Sequence, residues 1–117
     1  MASEKQIKIL KKEFKDPADG AKFAGKYLLR QWRWGQKNIA VSKATKIDLM
    51  SQLSTIDPGI YQLETLAQTL VSAPFDHTPA SPNYNMLNDL PGWLGDLLVS
   101  EAREINREMT VARQKNS

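Results

Sequence analysis

The chain contains no cysteine and one histidine, His77. Without cysteine there can be no disulfide scaffold, thiolate zinc site, iron–sulfur cluster or cysteine nucleophile. One histidine excludes multi-histidine metal sites and leaves only carboxylate-rich sites for hard cations. A membrane span needs about eighteen consecutive apolar residues. The best short apolar run here, 93–99, is broken by Gly95 and Asp96. The first twelve residues are charged and carry no apolar segment of the kind that opens a secretory signal. On these absences the expectation is a cytoplasmic protein with no membrane partner.

Catalytic signatures are missing as well. There is no phosphate-cradling glycine loop, no H-E-x-x-H pair, no EF-hand loop and no serine elbow. Asp57 and Asp89 each stand at a helix start, where a carboxylate caps free N–H groups. Glu101, Glu104 and Glu108 alternate with Arg103 and Arg107, as on a solvent-facing helix. Asp76–His77 is the one acid–imidazole neighbour pair, and adjacent residues rarely form a working dyad. His77 therefore reads as a surface loop residue. No enzymatic activity, metal or cofactor is expected.

Strand signals are also scarce, with few β-branched clusters and no Asn-Gly or Asp-Gly turn between alternating runs. Helix signals are plentiful. Ser3 and Gln6 form a capping-box pattern ahead of Ile7, Leu10 and Phe14, which predicts a helix over 4–14. Asp16–Pro17 is a second start signal, and a helix from 17 to about 34 would end near Gly35. Residues 37–42 read as a connection in which Ile39, Ala40 and Val41 are briefly extended. Ser42 caps a third helix with Ile47, Met50 and Leu53 on one stripe. Asp57–Pro58 opens a fourth, carrying Ile60, Leu63, Ala67, Leu70 and Val71.

Four prolines then fall within 74–91, a connector of a length that is uncommon inside a compact domain. The last helix begins after Pro91, with Leu98, Ala102, Ile105, Met109 and Ala112 at alternating steps of four and three. The fold expected is all-α, a small helical bundle of about five helices. In one domain it comprises a basic-to-acidic bundle over 1–72, a Pro-rich connector over 73–91 and a C-terminal helix over 92–113. That helix would pack on the bundle, on a partner or on a second copy in a homo-oligomer.

With 117 residues, 41% hydrophobic and 25% charged, the composition is that of an ordinary globular domain, and its net charge is +3. That total conceals a split. Residues 1–46 hold twelve Lys/Arg and four acids, 47–102 hold seven acids and no Lys or Arg, and 103–117 hold four basic residues and two acids. The three balances are +8, −7 and +2. Such asymmetry is information about partners.

In the expected second helix Lys22, Lys26, Arg30, Arg33 and, if the helix reaches that far, Lys37 recur at spacings of three and four, within an arc of roughly 80°. Lys8 and Lys12 lie on the first. Such a cationic face can follow a phosphate backbone, and a neighbouring exposed aromatic can stack on bases. Trp34 lies near one edge of that face, whereas Trp32 reads as core. Trp93 reads as a pin holding the last helix to the body.

Two functions follow. The first is a non-enzymatic nucleic-acid-binding or nucleoprotein-assembly protein whose phosphate contacts come from residues 5–46, chiefly Lys8, Lys12, Lys22, Lys26, Arg30, Arg33, Trp34 and Lys37. The alternative is a protein–protein interaction module, an adaptor, inhibitor or assembly factor, that meets an acidic protein surface. The basic face can also be answered by the acidic half of its own chain.

Overall fold

The computed structural model describes residues 4–115, and their side chains as far as Arg107. The chain is not all-α. It is a mixed helix-and-sheet fold with two small antiparallel sheets, and the helical-bundle expectation is corrected accordingly.

The largest correction lies in the first thirty residues. Residues Glu4–Ile9 form strand β1, followed by a 3-10 turn at Lys11–Glu13. Ile7 and Ile9 alternate with exposed polar residues, a period-two pattern that the helical stripe Ile7, Leu10, Phe14 had passed over. Helix α1 (Pro17–Phe23) starts where Asp16–Pro17 placed it, with the Asp16 carboxylate accepting from the Ala18 N–H at 2.9 Å. It is only seven residues long. Strand β2 (Gly25–Arg30) then runs back antiparallel to β1, burying Tyr27 and Leu29 on one face. Gly25 makes the switch possible. Its φ is +146°, and a Cβ there would lie 2.8 Å from the Pro74 Cγ.

Helix α2 (Trp34–Ala44) absorbs both the expected extended stretch at Ile39–Val41 and Ser42, which is not a cap. The expected third helix is a hairpin instead, β3 (Thr45–Asp48) paired with β4 (Leu53–Ile56). Asp48 shapes its turn. The carboxylate accepts from Met50 N–H at 2.9 Å, and Asp48 C=O accepts from Gln52 N–H at 2.7 Å. Gln52 itself takes a positive φ of 58°.

Helix α3 (Pro58–Thr69) begins at the expected Asp57 cap, whose carboxylate accepts from Ile60 N–H at 3.0 Å. Its residues Glu64 through Thr69 are all buried, so the second half of α3 is enclosed on every side. Without a connection it becomes β5 (Leu70–Ser72), which completes a sheet of order β1-β2-β5. The ladder register shifts between Leu28 and Leu29, opposite Ser72 and Leu70. The Pro-rich connector contains a short helix, α4 (Tyr84–Asn88), and α5 spans Gly92–Lys115.

One face of the sheet and the helices α3 and α5 enclose the core. Phe23, Tyr27, Leu29, Leu70, Leu94 and Leu98 are fully buried in it. Each such side chain contributes about 1.5–3 kcal/mol relative to remaining exposed. The α5 seam is spent inside the chain, since Leu98 and Ala102 are buried and Ile105 packs on the same cluster. Met109 and Ala112, the last residues of that seam, lie outside the described side chains. Trp93 rests on Phe14 with ring centroids 5.3 Å apart. Among the described residues no helix is long and apolar enough to cross a membrane.

Candidate nucleic-acid interface

Strand geometry decides where the basic residues of the N-terminal third point. Opposed residues of an antiparallel ladder share a face. The register therefore places Lys8 with Lys26, Gln6 with Leu28 and Glu4 with Arg30 on the outer face, away from Tyr27 and Leu29. Lys26 and Arg30 do share a face, because a spacing of four is close to one helical turn and is also two strand repeats. The continuous helical row from Lys22 to Lys37 does not exist, however. Lys22 sits on α1, Lys26 and Arg30 on β2, Arg33 just before α2, and Lys37 within it. Lys12 is exposed in the 3-10 turn.

The acidic half answers part of the basic third. Lys5 pairs with Glu101 at 2.5 Å, Lys46 with Asp57 at 2.8 Å, Lys22 with Asp89 at 3.7 Å and Lys43 with Glu64 at 3.8 Å. Arg30 pairs with Glu4 of its own third at 2.8 Å. Lys8, Lys12, Lys26, Arg33 and Lys37 take no ion-pair partner among the described residues and are exposed. Two of the seven cations singled out from the sequence, Lys22 and Arg30, are thus already paired.

The segment Gln31–Trp32–Arg33 joins β2 to α2 and contributes to two clefts. A cleft of about 480 Å³ holds Arg30 and Arg33 beside Ile39, Val71 and Pro79. Its floor is fixed by the Gln36 side-chain amide donating to Gln68 C=O at 3.2 Å. The other, about 390 Å³, is lined by Trp32, Lys37, Tyr61, Thr65, Arg103, Asn106 and Arg107. Three helices converge on it. Tyr61 and Thr65 are one turn apart on α3, Arg103 and Arg107 one turn apart on α5, and Lys37 comes from α2.

Asn106 holds this second cleft together. Its side-chain oxygen accepts from Trp32 N–H at 3.0 Å, and its amide donates to Thr69 Oγ1 at 3.1 Å. The Trp32 backbone is thereby tied to α5 and, through it, to α3. The Trp32 and Tyr61 rings stand 6.5 Å apart at 59°. Lys37 and Arg103 are exposed and have no ion-pair partner among the described residues, while Arg107 pairs with Glu104 at 3.1 Å. The cleft thus offers two aromatic walls and a cationic rim.

Several residues of this cleft were not visible as such in the sequence. Trp32, read as core, is half-buried in it. Trp34, the aromatic expected beside the basic face, is 80% exposed, as stacking would require, but lines neither cleft. Arg103 and Arg107 carry a signal in their one-turn spacing, which by itself fits an ordinary solvent-facing helix. Tyr61 carries none.

A third hollow, about 790 Å³, lies in the Pro-rich connector beside His77 and Tyr84. His77 is not the surface residue expected, being only 7% exposed. Its Nδ1 accepts from Asn83 N–H at 3.1 Å, which leaves the proton on Nε2 to donate to Ala67 C=O at 3.2 Å. Burial holds its pKa below the ordinary imidazole value, against the raising effect of the Ala67 and Leu70 backbone. Both ring nitrogens are thereby committed to fastening the connector onto α3.

Beside it, Tyr84 donates to the buried Glu64 carboxylate at 2.9 Å and accepts from Lys43 Nζ at 2.8 Å. The bond to Tyr84, followed by the nearby Glu64 charge, raises the Lys43 pKa against a lowering by desolvation. Among the described residues no group of three His, Asp or Glu side chains is placed to hold a metal ion. No family model, curated protein or solved structure matches this chain.

Proposed function

We propose that the protein is a non-enzymatic binder of single-stranded nucleic acid, and that the Trp32–Tyr61 cleft takes a base while the cations around it take phosphates. The observation that carries this reading is the placement of two aromatic rings among Lys37, Arg103 and Arg107 in one cleft. Base–aromatic stacking contributes about 1–3 kcal/mol per base, and each cation that neutralises a phosphate releases counterions. A duplex hides its base faces, so stacking of this kind favours single strands.

The neighbouring cleft with Arg30 and Arg33, and the outer sheet face with Lys8 and Lys26, supply further phosphate contacts for a strand that runs on. Lys12 and Lys22 line neither cleft, and Lys22 is paired with Asp89, so they are assigned a smaller part. These exposed cations fit a polyanion better than a small neutral ligand.

The test is fluorescence polarisation of labelled single-stranded DNA and RNA, and of duplex DNA, from low to moderate salt. Single strands should bind more tightly than duplex. If three or four phosphates are neutralised, the log affinity should fall against log salt with a slope of about −2 to −3. Lys37→Glu and Arg103→Glu, both at exposed positions, should each weaken binding about tenfold, whereas Trp34→Ala should leave it nearly unchanged. No binding at low salt, or equal loss from Trp34→Ala and Arg103→Glu, overturns the reading.

A further inference from the structure

The β3–β4 hairpin stands apart from the core, with seven of its eight strand residues exposed. Ile47 is 69% exposed and Leu53 65%, and at the turn Leu49 and Met50 reach 87% and 95%. An isolated two-stranded hairpin is marginal in water and gains stability from a third strand or a cover. Neither strand of this one has a second neighbour among the described residues.

The edge of β3 reads Lys46-Ile47-Asp48. In an antiparallel pairing of β3 with its own copy about a two-fold axis at Ile47, each Lys46 meets the Asp48 of the other chain. Ile47 meets Ile47. The edge of β4, Leu53-Ser54-Thr55-Ile56, has no charge to match in this way.

The backbone agrees. Asp57 N–H donates to Ala44 C=O at 2.9 Å, which makes that rung a hydrogen-bonded one. Rungs alternate along an antiparallel ladder, so Lys46/Thr55 and Asp48/Leu53 bond inward. Thr45 and Ile47 therefore turn their N–H and C=O groups to the open edge. Ile47 is thus the residue whose backbone can bond to its own copy at the centre of the axis.

We propose that β3 is a self-association edge, through which two copies of this chain join as a four-stranded antiparallel sheet centred on Ile47. Opposite charges face each other twice in that sheet, and the exposed Ile47 side chains lie against each other. A single edge of this length makes a small interface, so the dimer forms at high protein concentration rather than being obligate. The association is independent of nucleic-acid binding, since neither cleft includes a residue of the hairpin.

The natural chain has no cysteine, so one introduced thiol reports without interference. In full-length, nuclease-treated protein, Ile47→Cys should form a disulfide dimer under mild oxidation. Hydrogen-bonded antiparallel residues sit about 5.5 Å apart between Cα atoms, within disulfide reach. Ser54→Cys, one strand further from the axis on each side, would be about 14 Å from its mate and should not cross-link.

Analytical ultracentrifugation of the cysteine-free protein should show dimerisation rising with concentration. Asp48→Lys should weaken it about five- to tenfold, and Lys46→Asp combined with Asp48→Lys should return it towards the parent value. Because Lys46 also pairs with Asp57 and the Asp48 carboxylate also holds the turn through Met50 N–H, circular dichroism accompanies each variant. A protein that stays monomeric at about 0.5 mM overturns the proposal. So does cross-linking no greater at Ile47→Cys than at Ser54→Cys.

Discussion

Lys8 and Lys26 stand directly opposite each other on the outer face of the sheet, two like charges in one rung of the β1–β2 ladder. Like charges so placed destabilise a sheet, by an amount of the order of 0.2–1 kcal/mol. A polyanion laid across that face would remove the repulsion. Lys8→Gln should therefore raise the melting temperature of the free protein while lowering its affinity for single strands. Thermal denaturation and polarisation, run on the same preparation, measure the two effects.

Gly25 should tolerate no side chain. Gly25→Ala forces an L-residue to a φ of +146° and drives its Cβ towards the Pro74 Cγ at 2.8 Å. The expected loss is more than about 1 kcal/mol in urea denaturation. Adding Pro74→Ala should recover only the part due to the clash. Full recovery in the double variant would mean that the backbone conformation contributes nothing.

Glu64 is a 4% exposed carboxylate that depends on Tyr84 and Lys43. Tyr84→Phe removes the hydroxyl lying between them and should cost about 1–3 kcal/mol, as expected for a buried group left without its donor. Combining it with Glu64→Gln, which removes the charge, should cost less than the separate effects added together. A double-mutant cycle by urea denaturation reads that coupling.

His77 gives the fold a dependence on mildly acid pH. The folded imidazole titrates below its ordinary value of 6.5, chiefly because it is buried. Between the two values the unfolded chain binds the extra proton, so its contribution is complete above about pH 6.5 and declines as pH falls. Protonation would also turn Nδ1 from acceptor to donor against Asn83 N–H. His77→Gln should flatten this part of the stability–pH curve. The loss tied to Asp57, whose carboxyl is held below 3.8 first by the Lys46 hydrogen bond, lies at lower pH and should persist.

Local chemistry was legible in the sequence and tertiary partnership was not. Asp16–Pro17 and Asp57–Pro58 do start helices, because a cap acts within three residues and needs nothing else. The row from Lys22 to Lys37 misled, because spacings near four suit either a helix face or a strand face. What separated them was the alternation of Tyr27 and Leu29 with Lys26 and Arg30. The stripe Ile47, Met50, Leu53 fitted a helix, but its residues do not reach the core at all. The Trp32 cleft draws its walls from positions up to 75 residues apart along the chain, 32 to 107, a juxtaposition no local pattern records. His77 sits in a proline-rich stretch that reads as exposed, and only the fold brings α3 against it.

The ion pair between Lys5 and Glu101 links the first strand to the last helix, and the same helix supplies Leu94 and Leu98 to the core beneath β2. During synthesis β1, α1 and β2 emerge early, with the inner face of their hairpin uncovered. The helix that closes it follows only after α2, α3 and the Pro-rich connector. Closure therefore waits until Leu94 and Leu98 have emerged, and until then Tyr27 and Leu29 are the surface most open to wrong association.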